Sequence, residues 1–173
     1  MKWRTMLAFL LLSSIAAISI AQSPKQDQGS SQATQMHGSW IDPSTGLMWA
    51  GKDNGKDVSW KGAMKYCRNL RLAEYSNWRL ATIAELGAIY DRNANAPGLA
   101  GSGKDNLFTY HVKGNLFLTG DEWSREQDYD DRGHPSGYGW YFRFDEGRSD
   151  SDPIGFLYSN SLMRALCVRG SRH

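Results

Sequence analysis

Only two of the 173 residues are cysteine and only four are histidine. The histidines, His37, His111, His134 and His173, fall at no metal-ligand spacing, so a zinc site or a catalytic triad would have to assemble from scattered residues. No Gly-x-Ser-x-Gly elbow occurs, and nothing local specifies a serine hydrolase. Long apolar runs are missing too: the longest, from Met6 to Ile20, falls short of the roughly 20 residues that span a bilayer. Nor is there an excess of one charge. The formal +2 comes from Lys2 and Arg4 in an acid-free N-terminal stretch; without them eighteen basic residues face eighteen acidic ones. A balanced chain is not a general nucleic-acid binder, whose electrostatic footprint is a strong basic excess.

What is present is apolar and aromatic. Hydrophobic residues make up 40% of the chain, enough for one domain with a real core, and seven Trp, eight Tyr and six Phe suit a compact, loop-rich domain. Residues 1–21 have the basic start, apolar run and small-residue end (Ser19-Ile20-Ala21) of a signal peptide, and no cysteine lies near the cleavage point to carry a lipid. Residues 22–37, rich in Gln and Ser, have too little to bury and read as a flexible tether. The expectation is an exported protein, periplasmic or secreted to the cell surface, with no membrane span after cleavage. In an oxidising compartment Cys67 and Cys167 are most simply a disulfide; a free catalytic thiol is the alternative.

Asp42-Pro43-Ser44-Thr45-Gly46 between Trp40-Ile41 and Leu47-Met48-Trp49 reads as a hairpin turn. Ser59 reads as the N-cap of a helix whose apolar stripe is Trp60, Ala63, Met64, Cys67 and Leu70, with Lys61, Lys65 and Arg68 on a separate stripe. Thr82 and Glu85 spell a capping box for a second helix that buries Ile83, Leu86, Ile89 and Tyr90, and the Gly/Asn-rich stretch from Asn93 to Asn106 ends it. Strands are then expected at Leu116-Phe117-Leu118, at the alternating Trp140, Phe142 and Phe144, and at Met163 to Arg169. The expected class is α+β: two helices packed on short antiparallel sheets, long loops and one disulfide.

Several of these residues carry a resemblance. Trp40-x-Asp42-Pro43-x-Thr45-Gly46-Leu47-Met48-Trp49, Asn77-Trp78-Arg79-Leu80-x-Thr82-x-x-Glu85-Leu86, Trp123-Ser124 and the ending Cys167-Val168-Arg169 together resemble the bacterial Lcl C-terminal domain family, over residues 38–170. More broadly the chain resembles the C-type lectin-like fold. The resemblance implies that fold, a Cys67–Cys167 bridge, and a surface or secreted role in binding glycans. The chain departs from calcium-dependent lectins, having neither Glu-Pro-Asn, Gln-Pro-Asp nor Trp-Asn-Asp. Formylglycine-generating enzymes share a distantly similar fold but need a reactive cysteine pair; the one pair here is assigned to the bridge, so that reading ranks last.

The local motifs are weaker. Gly98 to Lys104 nearly spells a phosphate loop, but Asp105 stands where Ser or Thr is needed, so it reads as a loop. Asp128, Asp130, Asp131 and Gly133 hint at a calcium loop that Arg132 at the fifth place and Gly139 at the twelfth break; a looser calcium cage with Asp145, Asp150 or Asp152 stays open, and no other cofactor is expected. Trp40, Trp49, Trp60 and Trp78 are expected in the core. Trp123, Tyr129, Tyr138 and Tyr141 fall in the region that carries ligands in lectin-like folds. Aromatics beside Arg125, Arg143 and acids suit sugar rings, so Trp123, Arg125, Tyr141 and Arg143 are the candidate ligand residues. The charge is also uneven: residues 52–79 hold seven basic and three acidic residues, residues 121–152 ten acidic and four basic. The Lys61/Lys65/Arg68 stripe could take sulfated or phosphorylated polymers. The expected protein is a non-catalytic binding module for glycans or extracellular polymers, acting through the loops between about residues 120 and 152; the alternative is a scaffold that meets a surface or envelope protein.

Overall fold

The computed structural model describes residues 38–99, 107–155 and 163–170. The expected signal peptide, the tether, His37, His173 and most of the phosphate-loop-like stretch lie outside them.

Short apolar segments separated by turns assemble into three small sheets and two helices. Strands β1 (Ser39–Ile41) and β2 (Met48–Ala50) form the expected hairpin, with Trp40 opposite Trp49. Asp42 shapes its turn: its carboxylate takes the Ser44 backbone N–H at 3.0 Å and the Thr45 hydroxyl at 2.6 Å. Helix α1 (Trp60–Asn69) follows Ser59, whose hydroxyl accepts from the Gly62 N–H at 3.2 Å. Strand β3 (Arg79–Leu80) leads into α2 (Ile83–Ile89), which opens with the capping box of Thr82 and Glu85. Then come β4 (Ala96–Leu99), β5 (Leu107–Tyr110), a single 3-10 turn (Lys113–Asn115), β6 (Asp121–Tyr129), β7 (Pro135–Arg143), β8 (Arg148–Pro153), β9 (Met163–Arg164) and β10 (Cys167–Arg169). The sheets run β1-β2-β10-β3, β4-β5 and β8-β7-β6-β9; every strand pair is antiparallel except β6 with β9. The class is α+β, as expected.

Four expectations change. The single strand expected from Met163 to Arg169 is two, β9 pairing with β6 and β10 pairing with β2 and β3, so the segment passes from one sheet to another. The Gly/Asn-rich stretch after α2 contains strand β4, in which Gly98 packs so closely that a Cβ there would sit 2.4 Å from the Leu118 carbonyl oxygen. Leu116-Phe117-Leu118 is not a strand; it makes two isolated parallel bridges, Lys52 with Phe117 and Gly98 with Leu118. Most of residues 121–152 is sheet rather than long loop: β6 and β7 pair as a hairpin whose far half is polar and mostly exposed, and β8 pairs with β7 as the edge strand, while Glu122 and Ser124 of β6 are buried.

Two packed clusters make the core. One gathers Leu47, Trp49, Leu86, Ile89, Phe142, Phe144, Leu166 and Val168; the other gathers Trp60, Ala63, Cys67, Trp78, Leu80, Trp123, Met163, Ala165 and Cys167. The segment 163–168 runs between them and is buried throughout, its side chains alternating between two covered faces. The Cys67–Cys167 disulfide ties α1 to β10.

Candidate ligand-binding face

Helix α1 is held by its buried side. The Trp60 indole N–H donates to the Ser124 carbonyl at 2.8 Å, and the Trp123 indole N–H donates to the Val58 carbonyl at 2.8 Å, so two tryptophans fasten the helix start to β6 from opposite directions. Gly139 makes room for this, since a Cβ there would lie 2.8 Å from the Trp60 ring. With Trp60, Ala63 and Cys67 turned inward, helical periodicity turns Lys61, Lys65 and Arg68 to solvent, and all three are exposed. Arg68 in the last turn also faces the negative end of the helix dipole.

A groove runs along each side of α1. One, of about 440 Å³, has an apolar floor of Val58, Tyr66 and Leu70 and carries Lys56, Lys65 and Arg71, with Asn54 and Asn69 beside them. The other, of about 370 Å³, lies over Met64, Trp78 and Leu80 and carries Arg68, Arg79 and Arg125. Among the described residues, Lys56, Lys61, Lys65, Arg68, Arg71 and Arg125 form no ion pair. Arg79 does: its two terminal nitrogens each reach Glu85 at 2.7 Å.

In the acidic half of the molecule two arginines gather four carboxylates. Arg143 lies 2.6 Å from Glu146, 3.4 Å from Asp145 and 3.9 Å from Asp121, and Arg148 pairs with Glu146 and, at 2.9 Å, with Asp150. Asp121, mostly buried beside Asp145 and Glu146, is raised to about 6 by burial first and by those charges second, against the pull of Arg143.

The four candidate ligand residues separate. Trp123 is 1% exposed and belongs to the core, out of a ligand's reach. Tyr141, half-buried, packs edge-on against Trp123 with ring centres 6.0 Å apart. Arg143 is committed to the three carboxylates. Arg125 is exposed and reaches the second basic groove, far along the chain from Arg68 but beside it in space. Of the calcium candidates, Asp130 organises its own turn: its carboxylate takes the Arg132 and His134 backbone N–H groups at 2.9 Å each, and those bonds hold it below the usual carboxylate range. Asp128 accepts the Ser136 hydroxyl on its carbonyl at 3.1 Å, and Asp131 points to solvent at the hairpin tip. Among the described residues, no three His, Cys, Asp or Glu side chains converge in a way that could hold a metal. No described helix is long and apolar enough to cross a membrane.

Sequence reasoning missed a buried polar cluster of Asp53, Thr119, Glu122 and Arg164, each no more than 5% exposed. Asp53 sits in a Gly- and Asn-rich segment that looks like an ordinary turn. Arg164 offers the one hint, a charge inside an otherwise apolar ending.

The profile of the Lcl C-terminal domain matches residues 38–169. The chain belongs to the Lcl C-terminal domain family. The match spans β1 to β10, so the basic face of α1, both grooves and the buried cluster all lie within the Lcl C-terminal domain. No curated protein and no solved structure matches the chain.

Proposed function

We propose that this Lcl C-terminal domain is a non-catalytic module that binds an anionic extracellular polymer, a glycan bearing sulfate, phosphate or carboxylate groups, along the basic face of α1. The observation that carries this reading is a set of cations that form no ion pair among the described residues: Lys56, Lys65 and Arg71 on one groove beside α1, Arg68 and Arg125 on the other, and Lys61 exposed on the same helix, in a chain whose total charge is nearly balanced. Cations without ion pairs gathered on one face leave a local positive field there, and a polymer engages such a field through many weak contacts. The binding surface therefore moves from the 120–152 region toward α1, keeping Arg125 from the first set of candidates. Export and a C-type lectin-like arrangement belong to the same proposal. They are supported by the disulfide, which suits an oxidising compartment, and by the pairing of β2 with β10, which joins the two ends of the domain.

The test is binding of the full chain to dextran sulfate and to uncharged dextran over a salt series. The wild type is expected to bind only the sulfated polymer, and less as salt rises. Replacing Lys61, Lys65 and Arg68 together by Glu, all on exposed positions, is expected to weaken it by about tenfold or more. Equal binding of both dextrans, or no effect of the triple change, refutes the reading. A second reading, a protein-partner module, is favoured by the β6–β7 hairpin, where Tyr129 is 57% and Tyr138 42% exposed. Saturable capture of a protein that is lost on changing those two tyrosines to Ser, without affinity for any polymer, would establish it instead.

A further inference from the structure

Glu122, the second residue of β6, has 0% exposure, and neither carboxyl oxygen receives a hydrogen bond. An ionised carboxylate in that position would lose its hydration without replacement, which disfavours the charged form. Its surroundings offer little counter-charge. Arg164, also 0% exposed, uses Nη1 on Asp57 and Nε on the Thr119 hydroxyl, at 2.8 Å for the latter, while its Nη2 has no partner. One buried cation therefore faces three carboxyl groups, those of Asp53, Asp57 and Glu122. Asp53 is well supplied with donors: the Thr119 backbone N–H and hydroxyl and, at 2.7 Å, the Gly55 N–H. Glu122 has none and stands within hydrogen-bond reach of Asp53. Two neighbouring acids with one set of donors are satisfied when the donor-rich one is the anion and the donor-poor one is the acid.

We propose that Glu122 keeps its proton in the folded domain at neutral pH and donates it to Asp53, so that a carboxylic acid–carboxylate pair latches the segment 51–57 onto β6. The step is a simple acid–base equilibrium: above the pair's range the proton leaves to solvent, two adjacent carboxylates repel, and the latch opens. Every packed element around Glu122 adds to or opposes this. Asp53 and Asp57 come from the segment before α1, Arg164 from β9, Asp121 from the same strand, Tyr66 from α1 and Tyr110 from β5. Burial pushes Glu122 well above the ordinary glutamate range, Asp53 and Asp121 push the same way, and Arg164 opposes. The latched segment carries Asn54 and Lys56 to the first basic groove. The link to ligand affinity rests on the polymer-binding reading; the proton itself does not.

A group raised on folding stabilises most below its unfolded pKa and loses that contribution as pH rises. The full chain should therefore melt at progressively lower temperature as pH rises from about 6 through neutrality, its folding constant dropping by up to about tenfold per pH unit while one proton is released on unfolding. Glu122→Gln, which keeps the size and a donor toward Asp53, should melt at a temperature nearly independent of pH over that range. The wild type should also show an infrared carboxylic-acid stretch at neutral pH that Glu122→Gln removes. Parallel pH slopes for the two proteins, absence of that stretch, or failure of Glu122→Gln to fold would each overturn the proposal. None of these readings involves a polymer, so they stand or fall separately from the dextran experiment.

Discussion

Glu85 belongs to two structures at once. It closes the α2 capping box by accepting the Thr82 backbone N–H at 2.9 Å, and it takes both terminal nitrogens of Arg79 at 2.7 Å. Burial alone would raise its pKa, but the Arg79 and Thr82 bonds hold it below the usual carboxylate range. Glu85→Ala removes the cap and leaves Arg79 half-buried without its partner, so it should cost about 2 kcal/mol in chemical denaturation. Because its folded pKa is depressed, the Glu85 contribution is present above the ordinary glutamate pKa and lost as pH falls through the folded one. Asp121 acts in the opposite sense. Its folded value of about 6 against an ordinary 3.8 means that its penalty grows as pH rises from about 4 to 6. An Asp121→Asn protein should lose only its share of the wild-type pH slope between about pH 4 and 6 and keep the slope above pH 6, which separates Asp121 from Glu122.

The turn between α1 and β3 stores strain that can be removed. Leu72 and Tyr75 exchange backbone hydrogen bonds of 3.2 and 3.0 Å across Ala73 and Glu74, whose φ angles are +51° and +64°. Both central residues are left-handed, as a two-residue turn of this kind requires, yet neither is the Asn or Gly that adopts that conformation cheaply. Ala73→Asn with Glu74→Gly should therefore stabilise the domain by about 1 kcal/mol in urea unfolding, without altering polymer binding. The helices could be read from the chain because their information is local: Ser59 and Thr82 are caps, and the three- and four-residue spacing of Trp60, Ala63 and Cys67 is the buried stripe itself. Strands β4 and β8 could not. Ala96–Leu99 contains Pro97 and Gly98, and Arg148–Pro153 has no large apolar residue; each becomes a strand through the partner that it pairs with.

Cys67 and Cys167 are 100 residues apart in the chain, and their bond joins α1 to the strand that β2 and β3 flank. Closing a loop of that length restricts the unfolded chain by about 4.7 kcal/mol in the chain-entropy account. Reduction of the full chain should lower its melting temperature sharply, and the Cys67→Ala/Cys167→Ala protein should match the reduced wild type in denaturant midpoint. If α1 is anchored chiefly by the bond, polymer affinity should fall with it; if the Trp60 and Trp123 indole bonds suffice, the folded remainder should still bind.

The amino-acid sequence determined the α+β class, the starts of both helices, the β1–β2 hairpin and the family, because caps, turn residues and periodic apolar stripes act over a few neighbouring residues. It also placed Lys61, Lys65 and Arg68 on a stripe of their own. Only the tertiary structure decided that Trp123 is a core side chain rather than a sugar platform, since alternation along a strand does not tell which face will be covered. Only it brought Arg125 of β6 beside Arg68 of α1, and Asp53, Glu122 and Arg164 into one buried cluster. These residues lie from about 40 to more than 100 positions apart in the chain. Their meeting depends on the order of strands in the sheets and on how α1 is fastened across them, and no local pattern encodes either.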